Sequence, residues 1–266
     1  MAATRTGRNM GRPLSLLSLF GIDFRSTIRS LRGLPRFARD LRRFRRLSGG
    51  AAPTLGKLYP CLHDWVEASG CAAGAYFHQD LFVAQRVFAA KPRRHIDIGS
   101  RVDGFVAHVA TCREIEVIDV RPNRSSAKGI VFHSADILDP AFDWRQVADS
   151  VSCLHALEHF GLGRYADRID PDGHIKGFQK LAALLEPGGT LYLSVPVGPE
   201  RIEFNAHRVF PITAISALLN SDFDLIDFAL VDDEGELRLG LDVSSKAAQT
   251  NFGCWFGCGI FIARKQ

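Results

Sequence analysis

His95-Ile96-Asp97-Ile98-Gly99-Ser100-Arg101-Val102-Asp103-Gly104 reads as a short apolar strand that runs into a glycine-bearing turn. From Gly104 to Cys112 the apolar residues then keep helical spacing. Glu116-Val117-Ile118-Asp119 is a second strand, Ile130-Val131-Phe132 a third and Ser150-Val151-Ser152-Cys153-Leu154 a fourth, with helical patterns between most of them. Strands that alternate with helices imply a parallel sheet.

The pattern extends both ways from that core. Upstream, His78 to Ala90 reads as a helix. Downstream, Lys176 to Leu185 is an amphipathic helix stopped by Pro187-Gly188-Gly189, and Thr190 to Val195 is a fifth strand. Ile212 to Leu219 looks helical, Phe223 to Val231 alternates like a strand, and Asn251 to Ala263 offers a last strand rich in aromatics and glycine. The last two strands have no room for a full crossover between them, which predicts an antiparallel pairing at the sheet edge.

Composition sets the limits. Of 266 residues, 46% are hydrophobic and 23% charged, and no apolar run reaches the ~18 residues of a bilayer span. The net charge of +4 hides an uneven split. Residues 1–50 hold twelve arginines against Asp23 and Asp40, a balance of +10, and the remainder has 21 bases against 27 acids, or −6. Six cysteines in a chain this long suggest reduced thiols and a cytosolic setting, and Cys254 and Cys258 lack two further ligands for a structural zinc.

From Ile28 to Leu47, Ile28, Leu31, Leu34, Phe37, Leu41, Phe44 and Leu47 recur every three or four residues with arginines in the gaps. Such a stripe suits peripheral contact with an anionic membrane or docking on a partner, and a loosely packed tail is the plainer reading. Nucleic acid ranks third and is not expected as the partner. The arginines interrupt any secretory core, while an organelle presequence is compatible with the composition. Pro35 argues against one unbroken helix, and Ser48-Gly49-Gly50-Ala51-Ala52-Pro53 reads as a linker.

In open α/β sheets, ligands sit beyond the carboxyl ends of the strands. Asp97, Gly99 and Ser100 close the first strand, and Asp119 closes the second at the spacing of an acid that accepts ribose hydroxyls. Asp136 and Ile137, after the third, can border an adenine. A dinucleotide is disfavoured, because Arg101 stands where a second glycine lets the backbone approach a pyrophosphate. A ligand with ribose and adenine but no pyrophosphate fits better, which points to S-adenosylmethionine. The plainer account has Asp97 and Asp119 capping helices or binding loop amides.

Asp97-Ile98-Gly99, Asp119, Ala135-Asp136-Ile137, Leu157-Glu158-His159 and Leu185-Glu186-Pro187-Gly188-Gly189-Thr190 resemble the ordered motifs of class I S-adenosylmethionine-dependent methyltransferases over roughly residues 90–262. More narrowly, Asp97 to Phe105, Glu158-His159-Phe160-Gly161-Leu162-Gly163-Arg164-Tyr165 and Asp170-Pro171-Asp172-Gly173 resemble the uncharacterised domain-of-unknown-function family 268. The resemblance implies an α/β, doubly wound, mostly parallel seven-stranded sheet over residues 54–266. A basic helical extension and linker would occupy residues 1–53.

His155, Glu158 and His159 follow the fourth strand at i, i+3 and i+4, so a helix starting there would give them one face, and His207 follows the fifth strand. His155, Glu158, His159 and His207 could hold a divalent metal ion that activates an acceptor hydroxyl. Without metal, a histidine could act as general base. Glu158-His159 and His207 are similar in placement to metal-binding residues of ubiquinone-type O-methyltransferases and of small-RNA terminal 2′-O-methyltransferases, which carry Glu where His155 stands. The plainer account makes His159 a loop anchor, Glu158 a helix-start charge and His207 a packed histidine.

Asp167, Asp170, Asp172 and His174 form a polar loop of lid length, although Pro171-Asp172-Gly173 is also ordinary turn chemistry. Ser194 lacks the flanking glycines of a nucleophile elbow. The expectation is therefore methyl transfer to oxygen of a small-molecule or glycan-like acceptor, with Glu158, His159 and His207 catalytic, in a cytoplasmic protein that can touch a membrane. The rival classes are a non-catalytic module docking through its basic arm and, behind it, a nicotinamide-dependent enzyme.

Overall fold

A computed structural model of the chain describes residues 24–48, 56–66, 69–70, 72–123 and 126–266. Backbone packing divides the chain into two units, Met1–Cys71 and Ala72–Gln266. Apart from Ser48, the stretch read as a linker lies outside the described residues, as do residues 1–23.

In the first unit, helix α1 spans Phe24–Leu47. The break anticipated at Pro35 does not occur. Proline removes one intrahelical hydrogen bond, and neighbouring turns of α1 are tied to residues 62–65. A Cβ on Gly33 would lie 2.0 Å from the Leu62 carbonyl oxygen, and the Arg36 guanidinium lies 4.5 Å from the Trp65 ring centre. Ile28, Leu31, Leu34, Phe44 and Leu47 stay exposed among the arginines.

The second unit runs α2 (Ala75–Ala90), β1 (His95–Ile98), a π turn (Val102–Val106) continuing into α3 (Ala107–Ala110), β2 (Ile115–Asp119), β3 (Ile130–Ser134) and β4 (Ala148–Leu154). After a 3₁₀ turn at Leu157–His159 come α4 (Gly173–Leu184), β5 (Leu185–Val197), the short pair β6 (Arg201–Glu203) and β7 (His207–Val209), and α5 (Ile212–Leu219). The chain closes with β8 (Phe223–Val231), β9 (Leu237–Arg238), α6 (Lys246–Gln249) and β10 (Gly257–Lys265).

The main sheet has the order β3-β2-β1-β4-β5-β10-β8-β9. Strands β1 to β5 pair in parallel, and β10 enters antiparallel between β5 and β8. The strand count corrects the expected seven to eight, because two residues of β9 extend the edge beside β8. Asn251–Gly253, read as the start of the last strand, forms a 3₁₀ turn with Phe252 at φ 53°, so the strand begins only at Gly257.

Alternation along the strands feeds two cores. In β10, Phe261 and Ala263 face one layer with Phe178, Leu181 and Leu184 of α4 and Ile212, Ile215 and Leu219 of α5. Ile260 and Ile262 face the other, with Phe82, Val83 and Val87 of α2 and Phe105, Val106 and Val109 beyond β1. Helices on both faces define the doubly wound class. Each such fully buried side chain contributes about 1.5–3 kcal/mol of transfer free energy. Helix α4 ends three residues before Pro187, consistent with the restriction that proline places on the residue before it.

Candidate active site

Reversal of strand order on either side of β1 opens a crevice beyond the carboxyl ends of β1 to β4, where β1 pairs with both β2 and β4. A cleft of about 670 Å³ lies there. Its floor comes from Gly99 and Ser100 after β1, Asp119 at the end of β2, and Asp136 and Ile137 after β3. His155 and His159 after β4 line it as well, and Tyr76, Gln79 and Asp80 of α2 contribute.

Gly99 carries a positive φ of 76°, and a Cβ there would sit 2.9 Å from the Ala156 Cβ, so the turn after β1, packed against the segment after β4, requires glycine. Asp97 does not line the cleft, contrary to its assignment to the methionine end. It is fully buried behind the turn, where its carboxylate accepts from the Ser100 amide (3.0 Å), the Ser100 hydroxyl (2.7 Å) and the Ser152 hydroxyl (2.5 Å). Burial raises its pKa to about 6 against these hydrogen bonds. Its role is to hold the turn.

No α-helix starts at His155. That residue has a left-handed φ of 49°, its amide donates to the Ser194 carbonyl (3.0 Å), and a 3₁₀ turn follows. His155 Nδ1 still comes within 2.9 Å of Glu158 Oε1. Burial opposes charge on this ring, but Cys258 and Glu158 beside it outweigh burial and hold its pKa well above the ordinary value. His155 Nε2 and Glu158 Oε2 are buried without hydrogen-bond partners.

His159 behaves oppositely. Its Nδ1–H donates to the Ala206 carbonyl at 2.6 Å, which leaves the lone pair on Nε2. Burial lowers its pKa, with Glu158 opposing, so the ring is neutral at neutral pH. Nε2 stands 3.7 Å from Glu158 Oε1, beyond hydrogen-bonding reach.

His207 does not join these residues at the cleft. In the β6–β7 hairpin it lies opposite Glu203, with Nε2 3.3 Å from Glu203 Oε2 and its ring centre 4.9 Å from that of Phe256. Among the described residues no group of three or more His, Cys, Asp or Glu side chains could hold a metal ion. The proposed ligand set of His155, Glu158, His159 and His207 is thereby corrected, because the first pair with each other and the last is turned to Glu203. Asp167 accepts from the amides of Gly161 (2.9 Å), Gly163 (3.2 Å) and Tyr165 (3.1 Å) and so builds the loop beside His159.

Several cleft residues escaped the sequence. Gln79 is buried on an otherwise apolar face of α2, and Asp80 packs where a Cβ of Gly104 would fall, 2.5 Å away. Burial raises the Asp80 pKa. Arg121 pairs with Asp119, and the Arg164 guanidinium lies 5.2 Å from the Tyr165 ring centre. A polar pair on an apolar helix was the only signal available for α2, and nothing local marked Arg121.

The sheet order, the cleft and the acid closing β2 define the fold of the class I S-adenosylmethionine-dependent methyltransferases. The structure is similar to 1,6-didemethyltoxoflavin-N1-methyltransferase of Burkholderia thailandensis, solved with 1,6-didemethyltoxoflavin and S-adenosylhomocysteine. The TM-score is 0.51 at 17% identity, covering 70% of this chain and 78% of that one. N-methyltransferase NodS of Bradyrhizobium japonicum WM9, solved with S-adenosylhomocysteine, is similar at a TM-score of 0.47 and 15% identity, over 72% and 88% of the two chains. Residues 127–253 match the family described as Caenorhabditis protein of unknown function, DUF268. That span contains Glu158–Tyr165 and Asp170–Gly173 and leaves Asp97–Phe105 outside it. No curated protein matches.

Proposed function

We propose that this chain binds S-adenosylmethionine in the cleft and transfers its methyl group to an oxygen of a small-molecule or glycan-like acceptor, with His159 as general base. The observation that carries the reading is a neutral imidazole with an available Nε2 lone pair lining the same cleft as Asp119 and Gly99. The volume lies within the ~300–1,000 Å³ usual for small-molecule sites. Asp119 would accept the ribose hydroxyls, Gly99 and Ser100 would border the methionine end, and Asp136 and Ile137 the adenine.

The cofactor, when bound, supplies an already activated methyl group, so the protein mainly positions and excludes water. His159 Nε2 would take the proton of an acceptor hydroxyl, and the Ala206 carbonyl fixes the tautomer that makes this possible. Glu158 holds His155 at the cleft wall and stabilises positive charge there. No metal takes part in this reading.

Titration calorimetry with S-adenosylhomocysteine and with NAD tests it. Binding of the first alone supports methyl transfer, binding of the second alone supports the nicotinamide reading, and binding of neither leaves an interaction module. His159→Ala is expected to lower turnover about 10²- to 10⁴-fold and to spare S-adenosylhomocysteine affinity.

We also propose that α1 makes peripheral contact with anionic membranes. Nine arginines and one aspartate share the helix with five exposed large apolar side chains, a combination suited to a lipid interface. No helix among the described residues is long and apolar enough to cross a membrane. The full chain is expected to float with vesicles containing phosphatidylserine and not with neutral ones; equal flotation, or none, contradicts the contact.

A further inference from the structure

Arg121 stands two residues beyond Asp119 and occupies its carboxylate completely. The Arg121 amide donates to Asp119 Oδ1 (2.8 Å), Nε donates to Oδ1 (2.9 Å) and Oδ2 (3.1 Å), and a terminal guanidinium nitrogen also donates to Oδ2. The same guanidinium donates to the Gly99 carbonyl at 3.2 Å and lies 4.7 Å from the Tyr165 ring centre. One side chain thereby spans the carboxyl ends of β1 and β2 and the loop after β4.

We infer that Arg121 is a built-in occupant of the ribose position, and that an adenosyl ligand binds by exchanging its hydroxyls for this guanidinium on Asp119. The inference rests on the reading of the cleft as an S-adenosylmethionine site. A guanidinium edge and a vicinal diol are both two-pronged donors, and four donor contacts from Arg121 already use the roughly four lone-pair sites of the two oxygens, so a diol must displace the guanidinium. The Asp119 side chain is only 7% exposed, so leaving it without a partner would be costly. Arg121 satisfies it in the free protein.

The exchange is feasible because the Arg121 side chain is 41% exposed and has water to move into. It is also opposed, because neutral hydroxyls replace charge-assisted hydrogen bonds. Arg121 therefore weakens the ligand's hold on its own anchor. Leaving Asp119 also takes the guanidinium off Tyr165, which couples ligand arrival to the loop beside His159.

The test is calorimetric titration of S-adenosylhomocysteine into the full chain and its variants. Arg121→Met is expected to tighten binding about 10-fold, the effect of removing a competing state that dominates the free protein. Arg121→Lys, which keeps the charge but loses the two-pronged fork, should tighten it about 3-fold and carries the test if the Met variant does not fold. In an Asp119→Asn background the Arg121 substitution should gain nothing. Equal or weaker binding by both Arg121 variants overturns the inference while wild-type binding leaves the methyl-donor reading standing. If neither the wild type nor any variant binds S-adenosylhomocysteine, both fall together.

Discussion

His155 and His159 show how four residues of separation set opposite protonation states. Cys258 and the Glu158 carboxylate at 2.9 Å raise the pKa of the first against burial, and burial lowers that of the second against Glu158 and the Ala206 carbonyl at 2.6 Å. His159→Ala is expected to lower turnover about 10²- to 10⁴-fold, the usual share of a general base, with unchanged S-adenosylhomocysteine affinity. Because the base must be deprotonated and its pKa is lowered, activity should fall only on the acid side, below the ordinary imidazole range, and be level through neutral pH. A pH–rate profile that bends above that range contradicts the assignment. Asp97 gives a second pH effect. Its folded pKa of about 6 exceeds the ordinary value of 3.8, so its contribution to stability is fully present below 3.8 and is lost as pH rises through about 6. Urea unfolding of Asp97→Asn between pH 4 and 7 should show a flatter pH dependence than the wild type; an identical slope counts against it.

At the level of elements, strands β1, β2, β4 and β8 and helix α5 were legible because each is an apolar run or a clean periodic stretch bounded by turn residues. The β6–β7 hairpin and β9 were not, since two or three residues carry no periodicity. That omission explains the misassigned His207, whose surroundings are fixed by the Glu203–His207 register and by no feature of its own sequence neighbourhood. Pro35 misled for another reason: tertiary contacts along α1 offset the one hydrogen bond it removes. Helix α4 closes one core through Phe178, which is 1% exposed. Phe178→Ala should cost about 3–5 kcal/mol in denaturant unfolding, and a loss below ~1 kcal/mol would mean that this layer packs differently.

Across the whole molecule, the alternating strands made the doubly wound sheet legible, whereas the compact units divide after Cys71, eighteen residues beyond the boundary that composition suggested at Pro53. The cleft was legible where local chemistry marked it, at Gly99, Ser100, Asp119, Asp136, Ile137, His155 and His159, all of which line it. Asp97 looked like a ligand because its position in the motif cannot reveal that Ser100 and Ser152 enclose it. Asp80 reaches the cleft from a helix that only folding brings to it, and Arg121, two residues past Asp119, carried no sign that it would turn back onto that carboxylate. The central claim is that the hollow beyond β1 and β2 receives an adenosyl group through Asp119. Its most direct test is the dissociation constant of S-adenosylhomocysteine for the wild type and for Asp119→Ala. Saturable one-to-one binding that weakens at least ~10-fold in the variant is expected, in line with loss of a charged hydrogen-bond pair; equal affinities, or no binding by the wild type, would contradict it.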